Sequence, residues 1–105
     1  MKTCEVLDWL RTNPHHGPLG YNVLRTKRRA IKLVQALYAA GARQVLVTNV
    51  SEPGPDEPGT VADTLLIEPP RGAYYGDFYQ ALVQLKATEI GPSRQRAGFI
   101  RAWWD

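Results

Sequence analysis

Apolar residues recur along this chain in two rhythms. Ala30, Leu33, Val34, Leu37, Tyr38 and Gly41 fall at i, i+3, i+4, i+7, i+8 and i+11, one continuous face of an α-helix. A helix over about 26–40 is predicted, with Thr26 as its N-cap and Gly41 as its stop. Residues 44–50 have strand composition, as do residues 61–68, which end at Pro69-Pro70. Between them, residues 51–59 hold three prolines and two glycines, which excludes regular structure. Neither flank is large enough to stand alone, so this is expected to be an exposed loop between two strands and not a domain linker. Tyr74, Phe78, Ala81, Leu82 and Leu85 mark a second long helix over about 74–86. Residues 97–104 read as an aromatic, partly alternating terminal strand. Upstream, residues 3–12 suit a short helix, residues 13–18 break it with two prolines and a glycine, and Tyr21–Arg25 suits a short strand.

The resulting order is one domain over 1–105. Residues 1–18 form an N-terminal helix and Pro/Gly loop, and residues 19–105 form a β-α-β-β-α-β core. Two β-α-β units joined by a β-β connection give an α/β (α+β) domain of the ferredoxin-like, split β-α-β type. Its four-stranded antiparallel sheet carries both helices on one face. The other face must be solvated, covered by the N-terminal helix, or buried in a partner. No internal repeat of solenoid period is present.

Charge changes this picture locally. The net charge of +3 is not the strong field of a dedicated nucleic-acid binder. However, Arg25, Lys27, Arg28, Arg29 and Lys32 lie within eight residues, and Glu52, Asp56, Glu57 and Asp63 lie in or beside the central loop. A basic end and an acidic loop are expected, able to steer a partner. Cys4 is the single cysteine, so no intrachain disulfide forms. No apolar run reaches the ~20 residues that span a bilayer, and charges interrupt the apolar part of the N-terminus, a poor signal peptide. A cytoplasmic protein without membrane contact is expected.

Candidate chemistry is sparse. His15-His16 is the only histidine pair, and no HxxxH, CxxC or HExxH spacing accompanies it, so exposed loop histidines are expected and no metal. Cys4, near the terminus, reads as a semi-buried structural thiol. Ser51 and Ser93 lie in no nucleophile elbow. Asp56 and Glu57 sit on a loop, a poor platform for acid–base work. Asp63 and Glu68, five apart, would point to opposite faces of one strand. Gly54 and Gly59 are interrupted by prolines and acids, so no phosphate-cradling loop and no cofactor follow.

Two features stand apart. Arg25, Lys27, Arg28 and Arg29 surround the start of the first long helix, where the dipole disfavours cations by ~0.3–1 kcal/mol each. A capping box would put an acid at the position of Arg29. A bound anion would relieve this conflict; screened surface charges are the simpler explanation. Aromatic residues cluster at Tyr74, Tyr75, Phe78 and Tyr79, and at Phe99, Trp103 and Trp104. Trp103 and Trp104 must point to opposite sheet faces. Trp104 is expected on the open face, covered by Trp9 and Leu10 or by a second subunit.

The first expectation is therefore a non-enzymatic interaction or regulatory module that uses the open face, with Trp9 and Trp104, for homodimerisation or a protein partner. The alternative is an anion or nucleic-acid binder that uses Arg25, Lys27, Arg28 and Arg29. A third reading, a small enzyme or ligand-binding domain with a pocket between the sheet and the N-terminal segment, has no constellation in the sequence to support it.

Overall fold

A computed structural model describes residues 3–72 and 76–105. It shows a mixed α+β architecture. The elements run β1 (Cys4–Glu5), α1 (Val6–Thr12), α2 (Tyr21–Leu24), α3 (Lys27–Ala39), β2 (Gln44–Thr48), β3 (Thr64–Glu68), α4 (Gly76–Gln84), β4 (Glu89–Pro92) and β5 (Ile100–Trp103). The five strands form one open antiparallel sheet in the order β1-β2-β3-β5-β4.

The longest predicted elements are present. Thr26 caps α3 by accepting from the Arg29 amide at 3.1 Å. Gly41, at φ +104, ends it in a Schellman arrangement: its N–H bonds the Tyr38 carbonyl and the Ala42 N–H bonds the Leu37 carbonyl. β2 and β3 pair from Gln44↔Glu68 to Thr48↔Thr64, with the Pro/Gly-rich segment as the exposed connection. α4 lies inside the second predicted helix; Tyr74 and Tyr75 fall outside the described residues.

Three expectations are corrected. The sheet has five strands, not four, so a ferredoxin-like arrangement is not confirmed. Tyr21–Leu24, expected as the first core strand, is a helical turn. It is bracketed by Gly20, left-handed at φ +50, and Arg25, at φ +67 in a tight turn closed by the Thr26 amide on the Leu24 carbonyl, and these positive-φ residues turn the chain sharply at both ends. The strands that replace it are both short edge strands. β1 takes Cys4 and Glu5 from the start of the predicted N-terminal helix, and β4 contains Gly91 and ends in Pro92, which an edge tolerates.

Directly paired residues share a sheet face. Val45, Val47, Leu65, Ile67 and Ala102 therefore lie on the face that packs into the core with Val6 and Leu10 of α1, Leu24 of α2, Ala30, Val34 and Leu37 of α3, and Phe78, Ala81 and Leu82 of α4. Trp104 follows β5 on this same side. It is 1 % exposed, and its Nε1 donates to the Leu85 carbonyl at 3.0 Å. The expected placement on the open face is thus reversed; Trp103 has the other parity. On the second face Leu46, Leu66, Thr48 and Thr64 are also buried within the chain. Gln95, from the loop between β4 and β5, reaches Thr48 Oγ1 at 3.3 Å, so that loop covers part of this face.

The β1 side of the sheet is closed by Tyr38. Its hydroxyl accepts from the Val45 amide at 3.0 Å and donates to Glu5 Oε2 at 2.7 Å, while Glu5 Oε1 caps α1 at the Asp8 amide at 2.8 Å. Burial, then the hydrogen bond to Glu5, push the Tyr38 phenol up from 10.0 to about 12. Burial alone would raise Glu5, but the bonds from Tyr38, Asp8 and Leu7 hold its carboxyl below the usual range.

Leu37 is fully buried, so Leu37→Ala should cost ~2–5 kcal/mol, while Glu52→Ala on the exposed loop should stay within ~0.5 kcal/mol; urea melts compare them. The phenol is bound more tightly to its proton when folded. Its stabilising effect is therefore complete below pH 10.0 and is lost as pH rises toward about 12. The stability gap between wild type and Tyr38→Phe, followed by denaturant melts from pH 9 upward, should narrow across that window.

Candidate functional site

The two Pro/Gly-rich segments, which the sequence marks only as breakers, fold against each other and build the site. Asn13 is 5 % exposed and joins them. Its Nδ2 donates to the Thr60 carbonyl at 2.8 Å and Thr60 Oγ1 at 3.2 Å, and its Oδ1 accepts from the amides of His15 at 3.1 Å and Thr60 at 3.2 Å. Trp9 Nε1 donates to Thr60 Oγ1 at 3.0 Å, and Lys27 Nζ donates to the Asn13 carbonyl. Further along, the Ala62 amide bonds the Pro18 carbonyl at 2.8 Å and the Gly20 amide bonds the Ala62 carbonyl at 3.1 Å. Gly59 at φ +81 is required here, because a Cβ would sit 2.2 Å from Asn13 Oδ1.

This zipper leaves a cavity of about 410 Å3 at one end of the sheet. Its wall takes His15, His16 and Tyr21 from the first segment, Glu57 and Asp63 from the second, and Trp104 from the end of β5. Asn22, Asn49, Ser51 and Asp105 add polar groups. Gly20 lets the backbone lie on the Trp104 indole, where a Cβ would meet the ring at 2.9 Å.

His15 is 4 % exposed, which corrects the expectation of two solvated histidines. Its Nδ1 accepts from the Gly17 amide at 3.0 Å, so the ring proton sits on Nε2, which faces Glu57 Oε1 at 3.5 Å. Glu57 Oε2 in turn accepts from the Gly54 amide at 3.1 Å. His15 thus stands against the acidic loop through Glu57. His16 stays exposed, stacked on His15 at 4.8 Å and edge-on to Tyr21 at 5.6 Å. Asp63 Oδ1 accepts from Thr64 Oγ1 at 2.8 Å. Among the described residues, the carboxylates that line the cavity are those of Glu57, Asp63 and Asp105, and no lysine or arginine lines it.

The sequence candidates are distributed differently. Arg25, Arg28 and Arg29 are exposed at the start of α3 and make no ion pair among the described residues. Lys27 is half-buried and turned to Asn13. Trp9 is half-buried against the core, and Trp104 is inside it. Cys4 is exposed because β1 is an edge strand. No group of three or more histidine, cysteine, aspartate or glutamate side chains could hold a metal among the described residues. Among them, no helix is long and apolar enough to cross a membrane. The chain matches no family model, no curated protein and no solved structure.

Asn13→Ala removes the joint and leaves the buried His15 amide without its acceptor, a loss of about 1–3 kcal/mol, with a smaller loss at the part-buried Thr60 amide. A large fall in thermal stability is the expected outcome, accompanied by faster proteolysis within residues 51–62. Asn13→Asp, which keeps both acceptor bonds, should lose less.

Proposed function

We propose that this protein is a non-enzymatic binding module and that the cavity beside Trp104 is its ligand seat. The observation that carries this reading is the cavity itself: about 410 Å3, within the range of small-molecule sites, with acidic residues and no lysine or arginine in its lining among the described residues. An acidic wall in a partly desolvated cleft favours a small polar molecule that carries positive charge or presents several N–H donors, and disfavours anions. His16 and Tyr21 offer ring surface at the mouth, and Asn22, Asn49 and Ser51 offer orienting hydrogen bonds.

Two other uses have less behind them. Dimerisation through the second sheet face would need a broad exposed apolar surface, yet Leu46 and Leu66 at its centre are covered and only the half-buried Phe99 and Trp103 add ring surface at its β5 side. An anion at Arg25, Lys27, Arg28 and Arg29 would have no enclosed seat, and Lys27 is committed to Asn13.

Thermal shift with matched probes tests the reading. Alkylamines, guanidines and quaternary amines should raise Tm, whereas carboxylates of the same size should not. A ligand at a hundred times its Kd adds about 2.7 kcal/mol. Asp63→Asn keeps an acceptor for Thr64 and should fold normally while losing most of the shift. Equal stabilisation by carboxylates, or an undiminished shift in Asp63→Asn, would overturn it.

A further inference from the structure

On the sheet face away from α1, α3 and α4, a second surface has the opposite chemistry. From Ile90 to Trp104 the chain carries Arg94, Arg96 and Arg101 and no acidic residue. Arg94 and Arg96 are exposed on the loop between β4 and β5, with no ion pair among the described residues. The Arg96 guanidinium lies over the Phe99 ring at 5.3 Å, and that of Arg101 over the Trp103 ring at 5.8 Å. Arg101 also meets Glu89 at 3.7 Å, a pair exposed enough for solvent to screen. An open groove of about 730 Å3 runs past Arg94, Gln95 and Arg101 along β4. The edge of this surface is therefore basic at Arg94 and Arg96, with Glu89 as the acidic residue of the groove, and its floor carries two contacts between an arginine and an aromatic ring.

We infer that the Phe99–Arg101–Trp103 face, with Arg94 and Arg96 beside it, is a binding surface for single-stranded nucleic acid. Charge complementarity selects a polyanion, and the aromatic floor selects one with bases to stack. Phe99, Arg101 and Trp103 alternate along the chain entering and following β5, so they repeat every ~6.6 Å on one face. An extended single strand with unstacked bases can follow that repeat, whereas duplex bases stacked at ~3.4 Å cannot. Arginine and aromatic planes both accept a base face without reading its sequence, so binding should be sequence-tolerant and strongly salt-dependent. This surface shares no residue with the cation seat, and the inference stands without it. Neighbouring residues at the end of β5 serve the two sites: Trp104, just past the strand, lines the cavity, and Trp103, its last residue, faces the other way.

Fluorescence anisotropy with labelled dT12 and U12, at 50 and 200 mM salt, tests this on the full chain. Binding of either oligomer, weakened at high salt and accompanied by a change in tryptophan emission that Trp103→Phe abolishes or alters, is the expected result. Arg94→Ala with Arg96→Ala lies on an exposed loop, should melt as wild type, and should weaken binding roughly tenfold or more. Trp103→Leu should weaken it at least about fivefold; should that variant not fold, the arginine pair and the emission change decide. No binding at 50 mM salt would overturn the inference, as would heparin or a duplex of equal charge binding as tightly as the single strand. So would loss of binding in Arg28→Glu with Arg29→Glu but not in the Arg94/Arg96 variant, which would move the site to the start of α3.

Discussion

The Asn13 side chain holds together what the rest of the molecule leaves apart. Segments rich in proline and glycine cannot bury themselves by forming helices or ladders, because proline lacks the donor and glycine costs entropy to fix. Their backbone groups must still be paired once covered. Asn13 meets this demand at one point: a single carboxamide, donor on one side and acceptor on the other, serves the amide, carbonyl and hydroxyl of Thr60 and the amide of His15. Trp9 of α1 and Lys27 of α3 converge on the same joint, so two helices are tied to the loop pair. The cavity wall follows from this joint. His15 is placed two residues beyond it, Glu57 is drawn to His15, and Ala62 is set against Pro18 and Gly20.

Regular packing positions the other half of the site. Trp104 is the largest fully buried side chain, and its indole hydrogen bond to Leu85 links the end of β5 to the residue after α4. With the ring so fixed, Gly20 can lie on it and bring the first loop over the sheet's end. The cavity is thus defined by a rigid floor and a hydrogen-bonded rim. Its acidity comes from Glu57, oriented by His15 and Gly54, and from Asp63, whose backbone carbonyl accepts from the Trp104 amide at 2.9 Å.

Much of the fold was legible in the sequence where a long period exists. The α3 stripe, the Thr26 cap, the Gly41 stop and the β2–β3 pair rest on local rules that tertiary structure did not override. Short elements were not legible. Tyr21–Leu24 has strand composition, yet the positive-φ residues on either side make it a helical turn. β1 and β4 are strands only because a neighbour pairs with them. Alternation at Trp103 and Trp104 was readable, but which face each takes depends on the position of β5 between β3 and β4, which period alone does not specify. The candidate site was barely legible, since its residues come from positions 15–22, 49–63 and 104–105 and no local spacing links them. One signal was available: asparagine directly before proline, followed by two histidines, places chemistry-bearing side chains in a segment otherwise expected to be solvent.

The basic start of α3 shows how placement alters the meaning of a charge. In the sequence Arg25, Lys27, Arg28 and Arg29 form one anomaly against the helix dipole. In the fold they separate. The ammonium of Lys27 satisfies the Asn13 carbonyl, and its amide bonds the His16 carbonyl at 2.8 Å, so this residue belongs to the architecture of the cavity. The three arginines remain in solvent, where screening reduces the cost of the dipole conflict to a few tenths of a kcal/mol each. No bound anion is needed to explain them. Arg96 and Arg101 differ from them in a way the sequence does not show: each guanidinium is held against an aromatic ring. A guanidinium that already lies over a ring has fewer arrangements to give up when a ligand settles on the pair. Pre-organisation, more than charge count, separates the two arginine clusters.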